Sequence, residues 1–369
     1  MNVLILEHNK ERERLIYQFI ADRIRELSPE SRVEIHNFDE AIDAAMQFPP
    51  DAILSHPVRD EQGACVMTAL KLLFGCKVVC LSTEGLEYFD VPKLIDARIG
   101  SFDFGDRLVD YFFYWGEKPR DIFSRAMLKK GLVSSDDRVG VCGYVNYEKE
   151  VIRNYLSGNE LARSIQRCAG EHKRNYCFVT TGFYDPDPVK EAIESSILSK
   201  DLSPEEYERL KTSIIAGNNY RHNYGLHYVD LIRRLAESYP EMGFIVKNHP
   251  IEIAEKKSLD IYDPLIGIGN VFLIQETLPM QAILDYADGL FHYGSTTAFE
   301  AYLYKVPSIF LYFHAEGEHD EGTFGKYIDT YDMDLGNFNI DEFYSNPPVF
   351  KKIPEIEKFL WEVFGYRDG

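Results

Sequence analysis

No stretch of this sequence runs apolar for the roughly 18–20 residues that a membrane span requires, so no transmembrane helix is expected. The first twenty residues read as a strand and a charged helix, unlike a secretory leader, and the expected location is the cytoplasm. Positive charge is also in short supply. Lys and Arg number 40 against 60 Asp and Glu, a formal net charge of −20, which argues against a protein that coats nucleic acid or docks broadly on anionic lipid. A single basic pocket for one anionic ligand remains compatible with that total. Cysteine is sparse and scattered. Cys65, Cys76, Cys80, Cys142, Cys168 and Cys177 form no Cys-x-x-Cys cluster and have no His at zinc spacing, so no metal is expected and the thiols read as free and buried. Repeats of solenoid period and low-complexity linkers are absent as well.

What the sequence does have is a globular composition, 45% hydrophobic over 369 residues, long enough for two domains with separate cores. Strand-like and helical runs alternate from the start. Met1–Leu6 is followed by a helix with apolar positions at Leu15, Ile16, Phe19, Ile20 and Ile24. Then come Val33–Phe38, the helix Asp39–Met46, and strands at Asp51–Pro57, Lys77–Ser82, Asp110–Trp115 and Arg138–Gly143. Such alternation predicts an α/β fold with mainly parallel sheets covered by helices on both faces. A first domain is expected over 1–145 and a second over 146–350. The second would begin at the strand Tyr176–Thr181, carry a charged helical insertion near 186–219, and continue with the helix Tyr228–Tyr239 and strands at Gly243–His249 and Val271–Ile274. Residues 351–369 hold a last amphipathic helix, Pro354–Phe364, expected to cross back to the first domain.

The stretch Leu290–Tyr312 reads as strand, tight turn, short helix and second strand. Gly294 permits the sharp exit from the strand, and Ser295, Thr296 and Thr297 bring hydroxyls to a helix start whose unpaired N–H groups suit phosphate. Thr297 and Glu300 also have capping-box spacing, which fits a helix that is simply well capped. Two more features fall at carboxyl ends of expected parallel strands, where open α/β sheets bind ligands: Thr83-Glu84-Gly85, and Lys247-Asn248-His249-Pro250. Glu84 is a candidate general base, or a loop acid beside a turn glycine. His249 is a candidate phosphate partner, or a strand-end residue before proline. Thr181 and Gly182, and Glu7 and Lys10 after the first strand, are further candidates for a ligand-facing cleft. Asp332-Met-Asp334 has the spacing of a metal-binding acidic pair but reads as part of a late polar loop.

Taken together, Lys247-Asn-His-Pro, the later Ala-Asp…His-Tyr-Gly-Ser-Thr-Thr-Ala-Phe-Glu-Ala…Lys-Val-Pro, Glu84-Gly85 and the run Phe113–Gly116 resemble the bacterial surface-carbohydrate biosynthesis proteins. These are a GT-B-like group related to capsule Kdo transferases and bacterial polysialyltransferases. The resemblance implies two Rossmann-like domains in GT-B arrangement with a cleft between them. It implies transfer of a sugar, Kdo or sialic-type, from a CMP-linked donor to a hydroxyl of a glycan or lipid-linked glycan, without a metal or other cofactor. Glu84 would be the base, and His249 with Lys247 and Pro250 would meet the nucleotide phosphate. Ser295, Thr296 and Thr297 after Gly294 would complete that site; apart from the resemblance, Glu300, one turn into the helix, is placed to accept from ribose hydroxyls. A lipid-linked acceptor would place the protein at the inner face of a membrane. Thr83 stands where the family has a second acid, and Gly143-Tyr-Val-Asn-Tyr replaces its usual turn. The His-Pro and Ser/Thr-Glu pair is shared with CDP-polyol phosphotransferases and nucleotide-sugar 2-epimerases. A UDP-sugar transferase or epimerase, a CDP-polyol phosphotransferase and a non-catalytic nucleotide-sugar-binding subunit are therefore the alternatives.

Overall fold

The computed structural model describes residues 1–8, 10–56, 61–81, 109–129, 138–143, 152–153, 156–180, 203–255, 259–292, 295, 297–312 and 329–332. They fall into two compact units, one within Met1–Val151 and one within Ile152–Lys351.

The first unit is built on β1 (Asn2–Glu7), β2 (Arg32–Asn37), β3 (Ala52–Ser55), β4 (Lys77–Leu81), β5 (Tyr111–Tyr114) and β6 (Val139–Val141). All pair in parallel, in the order β2-β1-β3-β4-β5-β6. Its helices are α1 (Lys10–Leu27), α2 (Ala41–Gln47), α3 (Glu61–Phe74) and α4 (Glu117–Lys129). The inner strands are buried on both faces, as the unbroken apolar run Val3-Leu-Ile-Leu6 demands. The α1 stripe of Ile16, Tyr17 and Ala21 closes one face against Val3, Ile5, Leu54 and Leu81. At the other end of this sheet Asp110 ties three elements together. Its carboxylate accepts from Lys71 at 2.7 Å, Lys77 at 3.0 Å and the Val78 N–H at 2.9 Å. Burial opposes its ionisation, but those three donors outweigh it and hold the carboxyl at about 2.

The second unit contains α5 (Glu160–Gly170), β7 (Arg174–Val179), α6 (Pro204–Ser238), β8 (Met242–Lys247), α7 (Pro250–Glu255), a 3₁₀ segment (Leu259–Leu265), β9 (Val271–Ile274), α8 (Gln281–Leu284), β10 (Gly289–His292), α9 (Thr297–Leu303), β11 (Ser308–Tyr312) and β12 (Asp329–Asp332). The sheet is again parallel, ordered β12-β11-β10-β7-β8-β9, so the strand order reverses between β7 and β10.

Residues 204–219, read from the sequence as a segment apart from the helix at Tyr228–Tyr239, are continuous with it in a single 35-residue helix from Pro204 to Ser238. Gly217, Asn218, Asn219 and Gly225 each weaken a helix, by up to about 1 kcal/mol relative to Ala. Burial of Tyr224, Tyr228, Val229, Ile232, Leu235 and Ala236 against the sheet overrides that local cost. Asp332 likewise ends a strand paired with β11, where a loop was expected. The expected C-terminal helix 354–364 lies outside the described residues. Among the described residues no helix is long and apolar enough to cross a membrane.

Candidate functional site

The carboxyl edge of the second sheet gathers most of that unit's buried polar side chains. Thr180, Lys247, Asn248, Glu252, His292 and Glu300 are all buried there, at the ends of β7, β8 and β10 or on the helices that follow. This is where the strand order reverses, the position at which open α/β sheets bind ligands. Two tyrosines of the long helix finish the backbone of this edge. The Tyr228 hydroxyl lies 3.0 Å from the Phe291 carbonyl and 3.2 Å from that of Val179, and the Tyr224 hydroxyl donates to the Leu311 carbonyl at 3.0 Å.

Two turns leave this edge on either side of β7. The first follows β8. Pro250 occupies the first helical position of α7, where its fixed φ and missing N–H cost nothing, and His249 precedes it as the cap residue. The His249 N–H lies 2.9 Å from Glu252 Oε2 and 2.8 Å from Thr180 Oγ1. The second follows β10. The Ser295 N–H donates to His292 Nδ1 at 3.3 Å, and Ser295 Oγ accepts from the Thr297 N–H at 3.3 Å and lies 2.8 Å from the Thr297 hydroxyl. Burial drives His292 down to about 3, so its ring is the neutral acceptor this bond needs. The capping box read at Thr297 and Glu300 is therefore not the arrangement found. Ser295 Oγ takes the first N–H of α9, and Glu300 is buried, where the charge of Lys247 acts on it.

Lys247 and Glu300 form the electrostatic centre of the cluster. Each is 6% exposed. Among the described residues Lys247 Nζ donates to the Asn248 carbonyl, at 3.5 Å. Burial lowers the Lys247 ammonium from its ordinary range, opposed by Cys177, Glu300 and Glu252, and burial raises the Glu300 carboxyl to about 7 against the pull of Lys247. Among the described residues, neither side-chain polar atom of the fully buried Asn248 has a hydrogen-bond partner, which leaves hydrogen-bonding capacity at this edge that those residues do not use.

Of the candidates read from the sequence, Lys247, His249, Pro250, Ser295, Thr297 and Glu300 are brought to this edge. Glu84, Gly85, Thr181, Gly182, Gly294 and Thr296 lie outside the described residues. In the first unit Glu7 is 1% exposed and ion-paired with Arg14, which fixes α1 over the end of β1. Lys10 opens α1, and its side chain lies outside the described set. Beside Glu7, His8 stacks on Phe38 at 4.0 Å, lies 3.0 Å from Ser55 Oγ, and its N–H donates to Glu13. Sequence reasoning did not single out Glu252, Tyr262 or His292. A signal for Glu252 was present: His249-Pro-Ile-Glu252 has capping-box spacing with proline at the first helical position.

A cavity of ≈ 430 Å³ in the first unit is walled, among the described residues, mainly by apolar side chains such as Val3, Ile20, Leu54, Val79 and Phe113. Among the described residues no group of three or more His, Cys, Asp or Glu can hold a metal ion. None of the six cysteines is in a disulfide, and Cys76, Cys80 and Cys177 are buried, while Cys65 and Cys142 are exposed and Cys168 is half-buried.

Two parallel six-stranded sheets, the second in the order of a dinucleotide-binding domain, make a pair of Rossmann-like domains of the GT-B-like fold. Solved structures bear this out. UDP-GlcNAc 2-epimerase from Neisseria meningitidis, bound to UDP-GlcNAc, superposes with a TM-score of 0.53 at 14% identity, covering 84% of this chain and 82% of its own. The enzyme of that name from Methanocaldococcus jannaschii gives 0.51 at 14% identity, over 95% of both chains. A further UDP-N-acetylglucosamine 2-epimerase gives 0.53 at 12% identity, over 100% of this chain and 97% of its own. No family model and no curated protein matches the sequence.

Proposed function

We propose that the protein is an enzyme acting on a nucleotide-activated sugar, of the UDP-sugar epimerase and transferase class. The observation that carries this reading is the burial of both Lys247 and Glu300 at the strand-order reversal of the second sheet, with His249 and the Ser295 and Thr297 hydroxyls on the turns beside them. A sugar nucleotide presents a ribose diol and a phosphate-linked sugar, and these groups match that edge. Glu300 accepts from the diol, while His249 and the Ser295 and Thr297 hydroxyls meet the phosphates. Breaking the bond between sugar and phosphate leaves negative charge on the departing nucleotide, which a fixed donor set stabilises more in the transition state than in the ground state. Glu84 is the base in this reading, taking a proton from an acceptor hydroxyl or from the sugar itself.

Uridine is favoured as the base because the fold matches UDP-GlcNAc 2-epimerases, one of them bound to UDP-GlcNAc. The sequence Lys247-Asn-His-Pro favours a second reading, a transferase using a CMP-linked Kdo or sialic-type donor for a surface glycan. Incubation with UDP-GlcNAc and with CMP-Kdo, followed by NMR, separates the two. A new sugar epimer or released UDP, lost in Glu84→Gln, supports the UDP-sugar reading. Turnover of CMP-Kdo alone moves the protein to the second, and turnover of neither favours a binding subunit.

A further inference from the structure

Glu252 has no part in the reading above, yet among the described residues it is the most heavily hydrogen-bonded carboxylate at this edge. It is 3% exposed and takes three donors from three elements. The Thr180 hydroxyl at the end of β7 reaches it at 2.7 Å, the His249 N–H after β8 at 2.9 Å, and the Tyr262 hydroxyl of the 3₁₀ segment at 3.0 and 3.2 Å to its two oxygens. A cap alone does not call for this arrangement. Ordinary capping is done by side chains at the surface, and desolvating a carboxylate is costly unless its lone pairs are filled. Among the described residues, the turn after β10 is bonded by neutral groups, Ser295 Oγ and the neutral His292 ring, and the turn bonded by a carboxylate is the one that carries His249.

Pro250 removes the next backbone donor and fixes its own φ, so the His249 N–H is the point at which this turn can be gripped. Glu252 and Thr180 both hold it there, and Tyr262 fixes Glu252 in turn. With the His249 backbone pinned, less freedom is lost when its ring meets a ligand. We propose that Glu252 is a positioning residue for nucleotide binding, acting through His249 to set the imidazole against the ligand phosphate. This rests on the reading of His249 as a phosphate partner.

The test is a double-mutant cycle in the full chain, with UDP and uridine affinities measured by calorimetry for wild type, Glu252→Gln, His249→Ala and the double variant. Glu252→Gln should weaken UDP about tenfold and leave uridine, which has no phosphate, within about twofold. On the His249→Ala background it should cost nothing further, because groups that act as one unit are not additive. Losses that multiply in the double variant, or an equal loss for uridine, would show that Glu252 serves only the fold. If His249→Ala itself leaves UDP affinity unchanged, the phosphate role of His249 fails, and the inference with it. If Glu252→Gln does not fold, Tyr262→Phe and Thr180→Val each remove one contact and enter the same cycle with the same outcomes.

Discussion

Replacing Glu300 by Gln should remove most of the pH dependence of nucleotide binding near neutrality. Burial raises the Glu300 carboxyl to about 7, with the Lys247 ammonium pulling the other way. The sign follows from the ligand's chemistry. Ribose hydroxyls donate, so the ionised carboxylate is the binding form, and it predominates only above that value. About a tenth of the protein is ionised at about pH 6 and nine tenths at about pH 8, so affinity should rise roughly tenfold across that interval. The terminal phosphate of UDP has its own ionisation near about pH 6, but it acts on wild type and variant alike, so the difference between the profiles isolates Glu300. Calorimetry of UDP binding at several pH values in both proteins is the assay. At about pH 8 Glu300→Gln should bind roughly ten- to a hundredfold more weakly, the loss of a charge-assisted hydrogen bond of ~1.5–3 kcal/mol. The gap should close as the pH falls. Parallel profiles in the two proteins would refute the reasoning.

His249→Ala should weaken UDP binding by ~1.5–3 kcal/mol, because a phosphate loses a charge-assisted donor, and unchanged affinity by calorimetry would remove His249 from the site. Glu84→Gln should abolish turnover while nucleotide affinity stays within about twofold, and normal turnover would mean that Glu84 is not the base. Asp110→Asn tests the ion cluster that joins α3, β4 and β5. Its carboxyl is held down at about 2, so its contribution is present above the unfolded value of about 3.9 and is lost as the pH falls through the folded one. The variant should therefore be ~2 kcal/mol less stable to urea near neutrality, with the difference shrinking in acid, and equal midpoints at neutral pH would contradict this. Tyr228→Phe should cost ~1–2 kcal/mol of stability, since it strips the donor from the Val179 and Phe291 carbonyls.

Most of the fold was legible because parallel strands buried on both faces announce themselves as short unbroken apolar runs, such as Val3-Leu-Ile-Leu6 and Phe244-Ile-Val246. The long helix Pro204–Ser238 was not, because glycine and asparagine at 217–219 look like a break when only local cost is weighed. What holds the helix together is burial of Tyr224, Tyr228 and Ile232 against strands distant in sequence. The site was half legible for a similar reason. Lys247, His249 and Ser295–Thr297 stand out as polar residues just past apolar runs. The capping rule was applied at Thr297 and Glu300, where the Glu is buried and feels the charge of Lys247, and missed at His249 and Glu252, where it holds. Spacing marks both places equally. Whether a glutamate caps its helix or is buried within reach of a lysine's charge depends on the tertiary neighbours.

The most direct test of the central claim, that the carboxyl edge of the second sheet holds a nucleotide-activated sugar, is a thermal-shift panel of UDP, CMP, CDP, GDP and ADP on wild type and Glu300→Gln. A ligand at about a hundred times its dissociation constant adds roughly 2.7 kcal/mol to stability, a readily measured rise in Tm. The account predicts a selective shift with UDP that is greatly reduced in Glu300→Gln. A shift confined to CMP would keep the site and change the donor. No shift with any nucleotide, or one unaffected by Glu300→Gln, would contradict the account.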